Sequence, residues 1–161
     1  MIEVSQRLGE IVVHMERELS RLSDEETSVP AAPGGWSRKQ ILGHLIDSAS
    51  NNHQRFVRAL LHDELRWPSY DQNGCVRVER FQEARWTDLL RLWTSYNRFL
   101  AHVLAGVPEA KRATVCYIGT YRAMTLEELA VDYLVHMEHH LEQLRQTNAQ
   151  VGDLRHDLHK D

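Results

Sequence analysis

Thr125-Leu126-Glu127-Glu128-Leu129-Ala130-Val131-Asp132-Tyr133-Leu134-Val135-His136-Met137-Glu138-His139-His140-Leu141-Glu142-Gln143-Leu144 is the stretch that decides the fold. Thr125 with Glu128 three residues on forms a capping box, in which each side chain satisfies a free backbone N–H of the other. At about 100° per residue, Leu126, Leu129, Tyr133, Met137 and Leu144 share one face, so the stretch predicts an amphipathic helix reaching about Gln146. A helix with one apolar stripe needs partners of its own kind.

Three further helices are legible. Val4, Leu8, Ile11, Val12, Met15, Leu19 and Leu22 recur every three or four residues and predict a helix over 2–22. Ser37 with Gln40 is a second capping box, and Ile41, Leu45, Ala49, Phe56, Ala59 and Leu60 carry that helix toward a stop at Trp67-Pro68. Trp86, Leu89, Leu90, Trp93, Tyr96, Leu100, Val103 and Leu104 predict a helix over 79–105, closed by Gly106 and Pro108. Residues 23–36, with Pro30, Pro33, Gly34 and Gly35, read as a connection with no element of its own. Thr114 to Ile118 is the one short β-prone run. The expected fold is all-α, a four-helix bundle, with connections long enough to require at least one crossover.

The chain has 161 residues, which fits one domain. The expected division is one helical domain over 1–149 and a polar, frayed tail over 150–161. A core of this size needs no staple, so a metal here would be functional rather than structural. A net charge of −4 without a dense basic run argues against nucleic acid, and no apolar run is long enough for a membrane span. The first residues, MIEVSQRLGE, lack a leader pattern, and Cys75 and Cys116 form no disulfide framework. A cytoplasmic protein is expected.

Chemistry gathers on the histidines, of which there are 10. On the last helix His140 falls inside the apolar stripe and His136 at its edge, one turn apart, a spacing at which two imidazoles can bind one ion. His139 turns toward the polar face. A zinc-type catalytic centre usually takes three protein ligands, so another helix must supply the third. His44, three residues after Ile41, is the best candidate; His53, His62, His14 and His102 fit core lines less well. The competing reading of all three is hydrogen-bonded core histidine.

Other motifs fail on particular residues. Met137 stands where the zincin motif H-E-x-x-H needs glutamate. No E-x-x-H pair suggests a di-iron bundle, and the two cysteines lie too far apart for a zinc deaminase. Cys116 as a histidine-activated nucleophile is weaker than Cys116 as an ordinary structural residue.

At these residues the sequence resembles the DinB/YfiT-like superfamily of small four-helix metalloproteins. The likeness runs through Gly35-Trp36-Ser37, Ile41-Leu42-Gly43-His44-Leu45-Ile46-Asp47-Ser48, Asn52-His53-Gln54-Arg55-Phe56, Trp67-Pro68-Ser69-Tyr70-Asp71 and His136 to Leu144. It implies an up-down-down-up bundle with a divalent metal held by His44, His136 and His140. Zinc or nickel would come first as the ion, with iron as a further candidate. Family members include transferases that join low-molecular-weight thiols to electrophiles and a mycothiol-dependent isomerase. A metal-dependent thiol S-transferase acting on a small molecule is therefore the leading expectation. The rivals are a metal-dependent hydrolase, a non-catalytic metal-binding or stress-response protein, and a bundle used only for homodimer formation.

Spacing adds supporting residues. Asp47 is three residues from His44, Asp132 four from His136 and Gln143 three from His140, so each could accept the second imidazole N–H. Tyr70, Asp71, Tyr117 and Tyr121 sit in long connections and are candidates for a pocket mouth.

Overall fold

A computed structural model describes the backbone of residues 1–156 and the side chains of residues 1–146. Four long helices build the bundle: α1 (Ile2–Leu19), α3 (Arg38–Leu61), α5 (Trp86–Ala105) and α6 (Leu126–His156). Two short helices, α2 (Asp24–Ser28) and α4 (Gln72–Val78), lie in the connections. A small sheet completes the fold, with β1 (Glu64–Trp67) parallel to β2 (Val115–Ile118) and β3 (Met124–Thr125) antiparallel to β2.

Helix directions follow from cross-helix contacts. Ser5 Oγ donates to the Ala101 carbonyl and Trp86 Nε1 to that of Leu19, so α1 and α5 run antiparallel. Arg38 Nε donates to the Leu144 carbonyl while His44 meets His136, so α3 and α6 are also antiparallel. Arg7 pairs with Glu138 and Arg145 with Glu18, which makes α1 and α6 parallel. Together these contacts give an up-down-down-up order whose crossovers span residues 20–37, 62–85 and 106–125.

The apolar stripes meet as their spacing requires. Leu8, Val12, Met15 and Leu19 of α1 are buried with Trp86, Trp93, Leu100 and Leu104 of α5 and with Leu126, Met137 and Leu144 of α6. Both expected capping boxes are formed, Ser37 with Gln40 and Thr125 with Glu128.

Several elements differ from expectation: α1 ends at Leu19 rather than Leu22, and α3 ends at Leu61, short of Trp67-Pro68, with β1 over Glu64–Trp67 in between. The connection over 23–36 contains α2, held by a third capping box between Ser23 and Glu26. The helix expected over 79–105 begins at Trp86, because Arg80 adopts a left-handed conformation with φ 54° and breaks the path. A three-stranded sheet stands where one weak β run was expected; its strands of two to four residues are too short to leave a clear period. The last helix continues to His156 rather than ending near Gln146. Of the tail expected over 150–161, residues 157–161 lie outside the described residues.

The break at Arg80 carries Phe81 into the bundle. A Cβ on Gly43 would sit 2.2 Å from the Phe81 ring, so glycine is what lets that ring close against α3 beside His44.

Candidate metal centre

Two antiparallel helices bring the three histidines together. His44 comes from α3, and His136 and His140 from successive turns of α6. One ligand atom from each lies within 4.8 Å of the other two. Ring centroids are 4.6–5.0 Å apart and the planes cross at 68–74°, so the imidazoles face a common point like propeller blades. Trp36, half-buried ahead of α3, tilts its ring against His44 at 5.3 Å.

Hydrogen bonds orient two of the rings. His140 Nδ1–H donates to Gln143 Oε1 at 2.8 Å, and the Gln143 amide is itself turned by donating to His139 Nε2 at 3.0 Å. His136 Nδ1 makes a weaker contact to Ser48 Oγ at 3.4 Å, in which the hydroxyl can accept or donate. The bond to Gln143 leaves His140 Nε2 with a lone pair, and Ser48 leaves His136 Nε2 one when its hydroxyl accepts from Nδ1–H. Behind Ser48, Asn52 Nδ2 donates to its carbonyl at 2.9 Å, and Arg55 Nη1 donates to Asn52 Oδ1 at 3.3 Å.

This donor set fits a divalent ion. His44 Nε2 and His136 Nε2 are 3.1 Å apart, close to the roughly 3.3 Å that two nitrogens have on a tetrahedral ion with bonds of 2.0–2.1 Å. Burial holds all three imidazoles neutral, which is the ligating form. It lowers the His44 pKa to about 3, with the neighbouring His140 and His136 adding to the effect. Burial likewise lowers His136 to about 4, assisted by His140, His139 and Arg55. His140 is also lowered by burial, against an opposing pull from Gln143.

The site opens onto a cavity of about 390 Å³. His136 is in its wall, with Ser48, Asn52, Arg55, Tyr70, Tyr121, Arg122, Asp132 and Tyr133. Arg55 Nε is buried with no acceptor among the described residues. The Tyr70 phenol is pushed up to about 12, mainly by burial, with the Asp47 charge adding to it.

The remaining sequence candidates divide. Gln143 holds His140, whereas His44 Nδ1 has no hydrogen-bond partner among the described residues, and Asp47 faces Cys75 and Glu79 instead. Asp132 lines the cavity rather than bonding to His136, whose partner is Ser48. Tyr70 and Tyr121 line the cavity. Asp71 caps α4 by accepting from the Gly74 N–H at 2.9 Å, and Tyr117 lies beneath the Arg66 guanidinium at 4.1 Å. Sequence reading missed Ser48, Asn52 and Arg55. Their signal was a polar line at spacings of four, four and three from His44 along an otherwise buried helix face.

A four-helix bundle with three converging imidazoles beside a cavity defines a class of small proteins that could hold a metal ion. The profile of the DinB superfamily matches residues 14–144, and the chain belongs to that superfamily. It is 25% identical to the candidate metal-dependent hydrolase YfiT of Bacillus subtilis over 163 aligned residues, covering 91% of this chain and 83% of YfiT. A candidate metal-dependent hydrolase of Bacillus pumilus is 24% identical, covering 84% of this chain and 77% of that protein. The solved structure of YfiT, described as an unusual four-helix bundle topology, superposes with a TM-score of 0.81 at 22% identity, over 93% of this chain and 86% of that one. A mycothiol-dependent maleylpyruvate isomerase superposes with a TM-score of 0.64 at 15% identity, over 84% of this chain and 59% of the isomerase. Among the described residues, no helix is long and apolar enough to cross a membrane.

Proposed function

We propose that the chain is a metal-dependent enzyme of the thiol S-transferase type, with His44, His136 and His140 as the ligands of one divalent ion. The observation that carries this reading is that His136 belongs both to the three-histidine cluster and to the cavity wall. A closed storage or structural site has no need of such an opening, and about 390 Å³ is room for a small organic molecule.

A divalent ion bound there supplies Lewis-acid chemistry, lowering the pKa of a thiol or a water so that it is deprotonated near neutral pH. The chain's own residues do the rest. Gln143 and Ser48 hold the imidazole tautomers that direct Nε2 inward. Asp132, one turn before His136 in the cavity wall, is the carboxylate available to take up the proton released by the nucleophile. Half-buried Arg55, whose Nε has no acceptor among the described residues, suits an anionic group on the substrate. The Tyr70 phenol stays protonated and donates a hydrogen bond where negative charge develops on the electrophile.

A hydrolase using water in place of the thiol is the second reading, favoured by the names of the curated relatives. The two separate in one experiment on zinc- or nickel-loaded protein. Conjugation of a panel of small thiols to a model electrophile, lost when the metal is removed, supports the transferase. Metal-dependent cleavage of an ester or amide without any thiol supports the hydrolase. Neither reaction, in protein that retains its ion, points to a metal-binding protein without catalysis.

A further inference from the structure

We propose that Asp47, Cys75 and Glu79 form a second divalent-metal site, separate from the three histidines, which takes a borderline-soft ion such as zinc through one thiolate and two carboxylates. Asp47 comes from α3, and Cys75 and Glu79 lie four residues apart on α4 and at its C-cap, so one turn presents both toward α3. One ligand atom from each lies within 4.8 Å of the others. Zinc with Zn–S of about 2.3 Å and Zn–O of about 2.1 Å sets sulfur and oxygen roughly 3.6 Å apart in a tetrahedral shell. Side-chain rotation of about an ångström closes the gap.

Asp47 is the independent pointer to a ligand. It is only 6% exposed, and its Oδ2 is buried with no hydrogen-bond partner among the described residues. A carboxylate in that position normally finds an arginine, a lysine or backbone N–H groups. Here its polar neighbours are Glu79, with which it can only share a proton, and the Cys75 thiol, and neither brings positive charge. Asp47 and Cys75 accordingly resist ionisation. Burial and then the adjacent Glu79 push the Asp47 pKa up to about 7, and the Cys75 thiol is raised by burial with Asp47 and Glu79 next to it. A divalent cation reverses both effects, since it replaces the protons the cluster otherwise has to keep.

The surrounding backbone is fixed. Asp71 caps α4, and Gly74 leaves no room for a Cβ, which would stand 2.3 Å from the Asp71 carboxylate. Cys75 is therefore held in register with α3. Gln72, on the first turn of the same helix, lines the cavity, so an ion at this site would pin a cavity wall to the bundle.

The test is a cobalt titration of the full-length, metal-free, reduced chain. Two equivalents should bind, one of them producing a thiolate-to-cobalt charge-transfer band. Cys75→Ser should abolish the band and one equivalent while keeping the other. Asp47→Asn, with the thiol intact, should do the same, and its retained equivalent shows that the chain is folded. His136→Ala should lose the band-free equivalent and keep the band, so failure of the histidine assignment is read separately. Cys116 is buried, with its Sγ against the Thr114 carbonyl, and Cys116→Ser should leave the band in place. Saturation at one equivalent with no thiolate band, or a band that survives Cys75→Ser, overturns the proposal.

Discussion

Replacing Gly43 by alanine sets two known effects against each other at a position beside the histidine cluster. Glycine inside a helix is worse than alanine by about 1 kcal/mol, so propensity alone predicts stabilisation. Packing predicts the opposite. The added Cβ would lie 2.2 Å from two atoms of the Phe81 ring and 2.8 Å from its Cβ, where nonbonded carbons prefer about 3.5–4.0 Å. Either the ring or the helix must move by more than an ångström, and Phe81 is only 6% exposed. Overpacking costs about 1–3 kcal/mol, and a 2.2 Å overlap on a buried ring belongs at the upper end of that range, which leaves a net loss of roughly 1–2 kcal/mol after the propensity gain. For a chain of this length that lowers Tm by about 2–8 °C in a thermal melt followed by circular dichroism. Phe81→Leu in the Gly43→Ala background should recover part of the loss, because it withdraws the atoms that clash. A Gly43→Ala chain as stable as the parent would refute the packing reasoning.

Gln143→Leu removes the acceptor of the His140 Nδ1–H and frees the ring tautomer, so zinc affinity measured by competition with a chelator should fall about 10- to 100-fold with the helix content unchanged. The metal-free chain should lose stability on acidification. His44 at about 3 and His136 at about 4 lie below the unfolded value near 6.5, so their contribution is present above pH 6.5 and drains away as pH falls through that window. Urea titrations of the Asp47→Asn chain at pH 7 and pH 4.5 isolate it, and an unchanged midpoint there would contradict the burial of these rings. Asp47 acts with the opposite sign: raised from 3.8 to about 7, it favours the fold at low pH and opposes it as pH rises through 7. Asp47→Asn should therefore stabilise the metal-free chain at pH 8, with the advantage shrinking toward pH 4.

The long helices were legible because each carries a periodic stripe and a cap of known chemistry, as Ser37 with Gln40 and Thr125 with Glu128 illustrate. The sheet and the two short helices were not, since their order depends on contacts between distant segments, such as Leu65 beside Cys116. The helix start misplaced at Glu79 shows the same limit, because nothing local marks Arg80 as left-handed. The spacing of His136 and His140 on one helix made the pair legible, and His44 followed from its place near the stripe of another. What held those rings was harder to see. Gln143 is a local i, i+3 partner of His140, but the partner of His136 is Ser48, 88 positions earlier in the chain, and only the antiparallel packing of α3 on α6 brings them together.

Metal content of metal-free protein reloaded with zinc tests the central assignment most directly. It is measured by elemental analysis on untagged chain in the Cys75→Ser background, so that the mixed thiolate and carboxylate group does not contribute. The parent of this series should hold one ion per chain, His139→Ala should hold the same, and His44→Ala, His136→Ala and His140→Ala should each lose it. His139 is exposed and outside the converging trio, touching His140 only ring to ring and through Gln143, which makes it the matched control. Full zinc content in His140→Ala, or equal loss in His139→Ala, would contradict a centre built from His44, His136 and His140.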